Sequence, residues 1–372
     1  MSFALVIQPH DVLIFRDGKP FAAGTDTRAQ SLFPPTPFTV QGAIRSRVLF
    51  SSGVSPAAYA TSPADPAVKG LHQKIGFGSQ SYGQLQLRGP FLAHRENGDW
   101  VRYFPAPADV VQSNGQYHIL RPLKSLNAQS NRPDNLAWTW IRTTGRVEDA
   151  GGWINEQQLL DYLKGQLPGS LVDEEEFMLH EPRFGIALQA GTRTVREGFL
   201  YMADFLRLKE DVAFWVEVDG IQPSDLGGER GFLQLGGEGR AAWYEKIEPR
   251  PLPSSPTPLP QRFKVVLLTP AWFSEGWHPS DWSQFFTGSV CLVAAVIPRY
   301  QSLGGAYVDD QHRRGAFQKP MRRFVPAGSV FYFEHEGNVA YKGEPFTETP
   351  SNEGDLGRIG FGCVVIGRWD YA

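Results

Sequence analysis

The run Gly357-Arg-Ile-Gly-Phe-Gly-Cys-Val-Val-Ile-Gly-Arg-Trp369 sets the tightest limit on what this chain can fold into. Gly357, Gly360 and Gly362 precede an apolar stretch, Cys363 to Ile366, that reads as a buried strand. Glycine there permits positive φ and lets a second backbone approach without a Cβ in the way. A phosphate-cradling dinucleotide loop fails on two counts. The spacing is G-x-x-G-x-G where that loop needs G-x-G-x-x-G, and the ten residues after Gly362 leave no room for the helix whose N-terminus would face a pyrophosphate. The reading is a close-approach strand, not a nucleotide cradle.

At 372 residues the chain is long for one core, which predicts two domains. Its 39 glycines and 29 prolines make roughly one residue in five, well above the average, so a loop-rich fold is expected. With 41% apolar and 20% charged residues the composition is that of a soluble globular protein. The two cysteines, Cys291 and Cys363, lie in apolar runs and read as buried thiols of a cytoplasmic protein, without disulfide or zinc. No apolar stretch is long enough for a membrane span, and Met1-Ser-Phe-Ala lacks the charged start of a signal peptide. A net charge of −3 argues against a protein that coats nucleic acid, but leaves room for a local basic groove. The 26 arginines against 10 lysines fit RNA contact, since the planar guanidinium forks onto phosphates and stacks on bases; genomic base composition produces the same bias.

Residues 3–8 read as a first strand, and 12–15 continue extended toward the Asp17-Gly18 turn. Thr36 as N-cap and Pro37 at the first helical position start a helix with an apolar face of Phe38, Ala43, Ile44, Val48 and Leu49. Gly42 within it suggests close packing. Arg16, Lys19 and Arg28 before the helix start, with Arg45 following, group cations where a helix N-terminus attracts anions. Residues 52–135 read as short strands between turns, 155–163 as a short amphipathic helix, and 173–176 as a solvated acidic run. A strand over 185–189 leads to a polar turn carrying Arg193, Thr194 and Arg196, donors suited to clamping a nucleotide backbone, with Arg183 just before it. Residues 199–208 and 212–218 are expected to pair across Lys209-Glu-Asp. Six prolines over 249–260 read as an extended linker. The most basic window, Arg313-Arg-Gly-Ala-Phe-Gln-Lys-Pro-Met-Arg-Arg323, inserts Phe317 among cations. That combination suits a single-stranded backbone and one stacked base, or equally a surface loop.

Two stretches carry a resemblance. Asp11-Val-Leu-Ile-Phe-Arg-Asp-Gly-Lys-Pro-Phe21, followed by Ser31-Leu-Phe-Pro-Pro-Thr-Pro-Phe-Thr-Val-Gln-Gly-Ala-Ile-Arg45, resembles the N-terminus of the third-subunit family of the type III-B CRISPR effector, the Cmr complex. The glycine run at 357–362 resembles the C-terminal glycine-rich loop of the RAMP superfamily to which that family belongs, and 185–240 and 263–369 match it more loosely. The resemblance implies an α+β fold of two ferredoxin-like (RRM-like) RAMP domains with antiparallel sheets and long loop insertions. The expected divisions are 1–150, a connecting segment 151–180, and 181–372. It implies a non-catalytic, cytoplasmic subunit that holds the 5′ repeat-derived tag of a CRISPR guide RNA (crRNA). Its partners would be the large polymerase/cyclase-like subunit and the backbone RAMP subunit, with no cofactor and no membrane. The candidate RNA contacts are Arg16, Lys19, Arg28, Arg45, Arg183, Arg193, Thr194, Arg196, Arg313, Arg314, Phe317, Gly357, Gly360 and Gly362.

Catalysis finds little support. The eight histidines are scattered, with no H-x-x-x-H pair for a metal and no G-x-S-x-G elbow. His312 beside Arg313 keeps a guide-processing endoribonuclease open as an alternative, since RNA cleavage needs only a base near the 2′-hydroxyl. The ten tryptophans keep a β-rich module for protein or glycan contact open as another.

Overall fold

The computed structural model describes residues 2–16, 28–61, 64–124, 136–189, 191–307 and 317–372. For residues 28, 187, 196–199, 306–307 and 317–318 it describes the backbone alone. The chain gathers into two compact units, each assembled from three segments. The first is Met1–Arg95, Glu175–Pro249 and Ser302–Arg322; the second is Glu96–Glu174, Arg250–Gln301 and Arg323–Ala372. The sequential division into 1–150 and 181–372 is corrected accordingly. The sheets are made by strands far apart in sequence, so composition along the chain could not mark the boundary.

In the first unit, the strand Phe3–Pro9 is central, with strands paired along both edges, and is buried on both faces from Phe3 to Ile7. The order is Gln86–Glu96, Val212–Asp219, Phe3–Pro9, Ala241–Ile247 and Arg230–Gln234, with every neighbouring pair antiparallel. The helix Pro37–Ser51 starts where the sequence predicts: the Thr36 side chain accepts from the Thr39 amide, and Pro37 needs no partner for its missing N–H. Val40, Ala43, Ile44 and Val48 form its buried stripe. Gly42, expected at a close contact, faces open space, with nothing within 4 Å of where a Cβ would stand. Helices at Pro56–Thr61 and Pro66–Ile75 replace part of the strand-rich reading of 52–135. Asp65 caps the second of these through the Ala67 amide, a local signal masked by the surrounding prolines and alanines.

The pairing of 199–208 with 212–218 is also corrected. Val195–Leu208 instead pairs with Met178–Leu188, in a register running from Met178↔Leu208 to Leu188↔Val195. Val212–Asp219 turns away to join the central sheet. The result is a long two-stranded ribbon closed by the turn at 189–194.

In the second unit, the order is Cys291–Val296, Val330–Glu334, Arg262–Leu267 and Val364–Arg368, again antiparallel throughout. Its core is aromatic: Phe263, Phe285, Phe286, Phe331, Phe333 and Phe346 interlock, with Trp277 and Trp282 packed against them. Trp282 stacks on Phe346 with 24° between the rings. These tryptophans are structural, which removes their support for a contact module. The Pro249–Pro260 stretch is irregular but anchored, not loose. Buried Arg102 donates to the carbonyls of Arg250 and Pro251, at 2.6 and 3.2 Å, and Leu259 enters the core. The helix Glu156–Leu163 carries a capping box between Asn155 and Gln158. Both cysteines are free, and the expected burial is corrected: Cys291 is exposed and Cys363 half-buried. Among the described residues no helix is long and apolar enough to cross a membrane.

Candidate nucleic-acid interface

The ribbon Met178–Leu188/Val195–Leu208 gathers most of the sequence candidates that the first unit describes. At its far end Gln189 and Arg193 close the turn, Arg193 N–H donating to the Gln189 carbonyl at 2.9 Å. The Thr192 and Thr194 hydroxyls hydrogen-bond each other at 2.7 Å. Arg193 has φ +53°, a left-handed conformation that costs a non-glycine residue energy, and its side chain is exposed. The turn therefore offers a guanidinium and two hydroxyls on a tip braced from below. Arg196 lies on the ribbon backbone beside it, though its side chain is outside the description.

At the near end, the short strand Arg28–Ala29 adds in parallel beside Met202 and Ala203. Leu13 bridges to Leu206, and Arg16 to Ser31, whose hydroxyl donates to the Asp204 carbonyl at 2.5 Å. Gly236, at φ +79°, lets its own loop close on the Ile14 carbonyl; a Cβ there would stand 2.6 Å from that oxygen. The N-terminal segment and the ribbon thus share one small core of Val12, Ile14, Ala29, Ala203 and Phe205. Roughly 25 Å of ribbon, about eight strand residues, separates the Arg28 backbone from the tip.

An ion network unrecognised in the sequence sits at this near end. Arg183 donates to Glu181 at 2.9 Å, and Arg207 reaches Glu181 at 2.7 Å and Asp11 at 3.1 Å. Arg183 and Arg240 each lie 5.0 Å over the Phe205 ring. Hydrogen bonds from Arg183 and Arg207 hold the Glu181 carboxyl below its ordinary range. The Val12 amide, assisted by Arg207, does the same for Asp11. Arg183 is therefore partly committed within the fold. Glu181 and Arg183 lie two apart on one strand, but Arg207 and Asp11 come from distant segments, so no sequence spacing announces the whole network.

The other face of the ribbon is apolar and open. Phe184 is 73% exposed, and Ile186, Leu188, Val195 and Leu200 are about half exposed, paired across the strands as Ile186↔Leu200 and Leu188↔Val195. The period-two apolar spacing at 184, 186 and 188 is present in the sequence.

Several candidates leave the interface. Arg45 turns inward and donates to the carbonyls of Ile75, Gly78 and Ser81 at 3.0, 3.3 and 2.8 Å. It clamps the loop after the Pro66–Ile75 helix, committing all three guanidinium nitrogens to carbonyls of the fold. Gly357, Gly360 and Gly362 are buried in the second unit. A Cβ on Gly357 would meet Pro345 at 2.4 Å, and one on Gly362 the Phe346 backbone at 2.8 Å. The close approach expected there exists, but the approaching backbone belongs to the same chain. Lys19, His312, Arg313 and Arg314 lie outside the described residues. Phe317 is described only as backbone, paired with Tyr307. Lys319 of the same basic window is buried, its ammonium 3.1 Å from the Tyr82 hydroxyl and 4.5 Å over the Phe38 ring. Among the described residues no three His, Cys, Asp or Glu side chains converge as metal ligands.

A family model described as CRISPR-associated protein (Cas_Cmr3) matches residues 5–369. A curated relative, the CRISPR system CMR subunit Cmr3 of Saccharolobus solfataricus, is 26% identical over 260 residues, which is 66% of this chain and 63% of the relative. The alignment thus spans less than two thirds of that relative's length. A chain in the cryo-EM structure of the type III-B Cmr-beta complex bound to cognate target RNA is similar at TM-score 0.48 and 18% identity, covering 88% of this chain and 86% of that one. A chain in the crystal structure of the Csm3–Csm4 subcomplex of the type III-A interference complex is similar at TM-score 0.40 and 11% identity, covering 92% and 100%.

Proposed function

The chain belongs to the Cas_Cmr3 family of CRISPR-associated proteins, and from that premise we propose that it is a non-catalytic, crRNA-binding subunit of a type III-B ribonucleoprotein in antiviral defence. In this reading it holds the 5′ repeat-derived tag of the guide and joins the large polymerase/cyclase-like subunit to the backbone RAMP subunits. The observation that carries the RNA part is the ribbon. It presents Arg193, Thr192 and Thr194 at an exposed tip and aligns the Arg28 strand along its other end. Hydroxyls and guanidinium together suit the phosphates and 2′-hydroxyls of a single-stranded tag. The open apolar face at Phe184, Ile186 and Leu200 supplies a surface for a neighbouring subunit or unstacked bases.

The ferredoxin-like reading of both units belongs to the same proposal. In each, the first strand is central and antiparallel to both neighbours; the first unit runs second, third, first, fifth, fourth, with the fourth added at the outer edge, and the second unit runs second, third, first, fourth. That is the strand order of a β-α-β-β-α-β sheet. Helix Pro37–Ser51 stands in the first crossover of unit one, while unit two replaces both crossovers with loops and single 3-10 turns.

Purification from native cells tests the reading. Guide RNA with an intact 5′ tag should accompany the chain and its partner subunits, and the purified chain should leave guide precursor uncut. Recovery without RNA would contradict the binding role. Specific cleavage lost in His312→Ala would establish the endoribonuclease instead.

A further inference from the structure

Two cavities in the second unit share walls. The larger, of about 570 Å³, is lined by Trp140, Ile141, Leu167, His118, Arg121 and Arg142, among others. The smaller, of about 180 Å³, is lined by Arg121, Lys164, Lys264, Arg368 and Asp370, with Tyr332 beside them. Arg121 and Gly165 border both.

Local structure explains why an aromatic ring and a cation meet here. The strand Arg121–Leu123 pairs with Trp138–Trp140 so that Arg121 stands directly opposite Trp140. Side chains of directly paired residues share a sheet face. Trp140 is 47% exposed, a large apolar surface left facing the cavity. Among the described residues Arg121 and Arg142 make no side-chain hydrogen bond or ion pair, so their donors are available.

The smaller cavity is short of negative charge. Lys264 is 2% exposed; its ammonium lies 3.4 Å from Asp109 and 3.5 Å over the Tyr162 ring. Asp109 is also the acceptor for the Tyr162 hydroxyl at 2.6 Å and the Tyr332 hydroxyl at 2.5 Å. One carboxylate is thus divided among three donors. Burial lowers the Lys264 pKa; the charge and hydrogen bond of Asp109 offset part of that, and the nearby Arg121 charge adds a smaller lowering. The remaining acid on the wall, Asp370, is 3.2 Å from Arg262 and already compensated, and Lys164 has only the Asp161 carboxylate at 3.8 Å, a loose surface pair. An anion between Arg121, Lys164, Lys264 and Arg368 would relieve that repulsion and gain charge-assisted hydrogen bonds. The larger cavity offers the complementary half, an aromatic ring and aliphatic walls with polar groups at the edge, as ligand sites commonly do.

We propose that the two cavities form one nucleotide site, with a terminal phosphate among Arg121, Lys164, Lys264 and Arg368 and the base stacked on Trp140. This goes beyond the guide-holding reading and does not rest on it. The phosphate-and-base chemistry is shared by a free mononucleotide and by a phosphorylated RNA end.

Calorimetry on the full chain separates these sources, using adenosine 5′-monophosphate, adenosine, and tetra-adenylate with a 5′-phosphate or a 5′-hydroxyl. Adenosine 5′-monophosphate should bind saturably, with adenosine about tenfold weaker or more. Arg121→Gln and Trp140→Ala, both at exposed positions, should keep the wild-type melting temperature and each weaken binding about tenfold. Phosphorylated tetra-adenylate binding with the same tenfold weakening in both variants would assign an RNA end; binding of the mononucleotide alone would assign a free nucleotide. Tagged-guide affinity should be unchanged in Arg121→Gln, which keeps this site distinct from the ribbon. The proposal is overturned if neither phosphorylated probe saturates, or if both variants bind as wild type.

Discussion

The turn at 189–194 and the loop at 357–362 both contain glycine, both connect to strands, and both read as RNA-binding in the sequence. In the fold they part company. The turn is exposed at every described residue and holds a non-glycine, Arg193, in a left-handed conformation. The loop is buried almost throughout, and Gly362, at φ +69°, serves packing within the second unit. A glycine tells that something passes close; it does not tell whose backbone it is. An exposed arginine held in a strained turn is the more informative signal, because no internal packing accounts for it.

Gly362→Val breaks the comparison from the loop side and should have the largest effect. Its φ of +69° disfavours a β-branched residue, and the new Cβ would stand 2.8 Å from the Phe346 carbonyl carbon. The two costs together should remove about 3 kcal/mol or more of stability. Denaturant unfolding would show this as a lower midpoint, while the fraction still folded should bind guide normally. A stable variant that fails to bind would return the loop to the interface.

Arg45→Ala should come next. Three carbonyls would lose a charged donor, costing about 2 kcal/mol. Guide affinity should not change. A stable variant with weakened binding would put Arg45 back at the RNA surface.

The smallest effect concerns pH at the near end of the ribbon. Arg183 and Arg207 depress the Glu181 pKa, so its stabilising contribution is present above the ordinary carboxylate range and is lost as pH falls through the folded value. Carboxyl NMR titration should place Glu181 below a free glutamate, and Arg207→Gln should move it back up. A titration at the ordinary value would remove the network from the account.

What is legible in the sequence follows from range. Thr36-Pro37 and Asn155 with Gln158 announce helix starts because capping is local, and both helices form there. Short apolar runs mark buried strands such as 3–9 and 262–267. Pairing partners are not legible: 195–208 joins 178–188 and leaves 212–219 to the central sheet, a choice set by burial across the unit. The same limit hides the Glu181–Arg207–Asp11 network and misplaces Arg45. Its cationic side chain reads as surface until three carbonyls are found around it. The turn at 189–194 is legible because its threonines, glycine and arginine lie within a few residues of one another.

The central claim, that the ribbon tip holds the tag, is tested most directly by the salt dependence of tagged-guide binding in Arg193→Ala/Arg196→Ala. Each phosphate on a single strand that loses its cation should reduce the slope of log affinity against log salt by about 0.7. The double variant should therefore bind more weakly, with a slope shallower by about 1.4 and a melting temperature equal to wild type. An unchanged affinity with an unchanged slope, in a variant shown to be folded, would contradict the account.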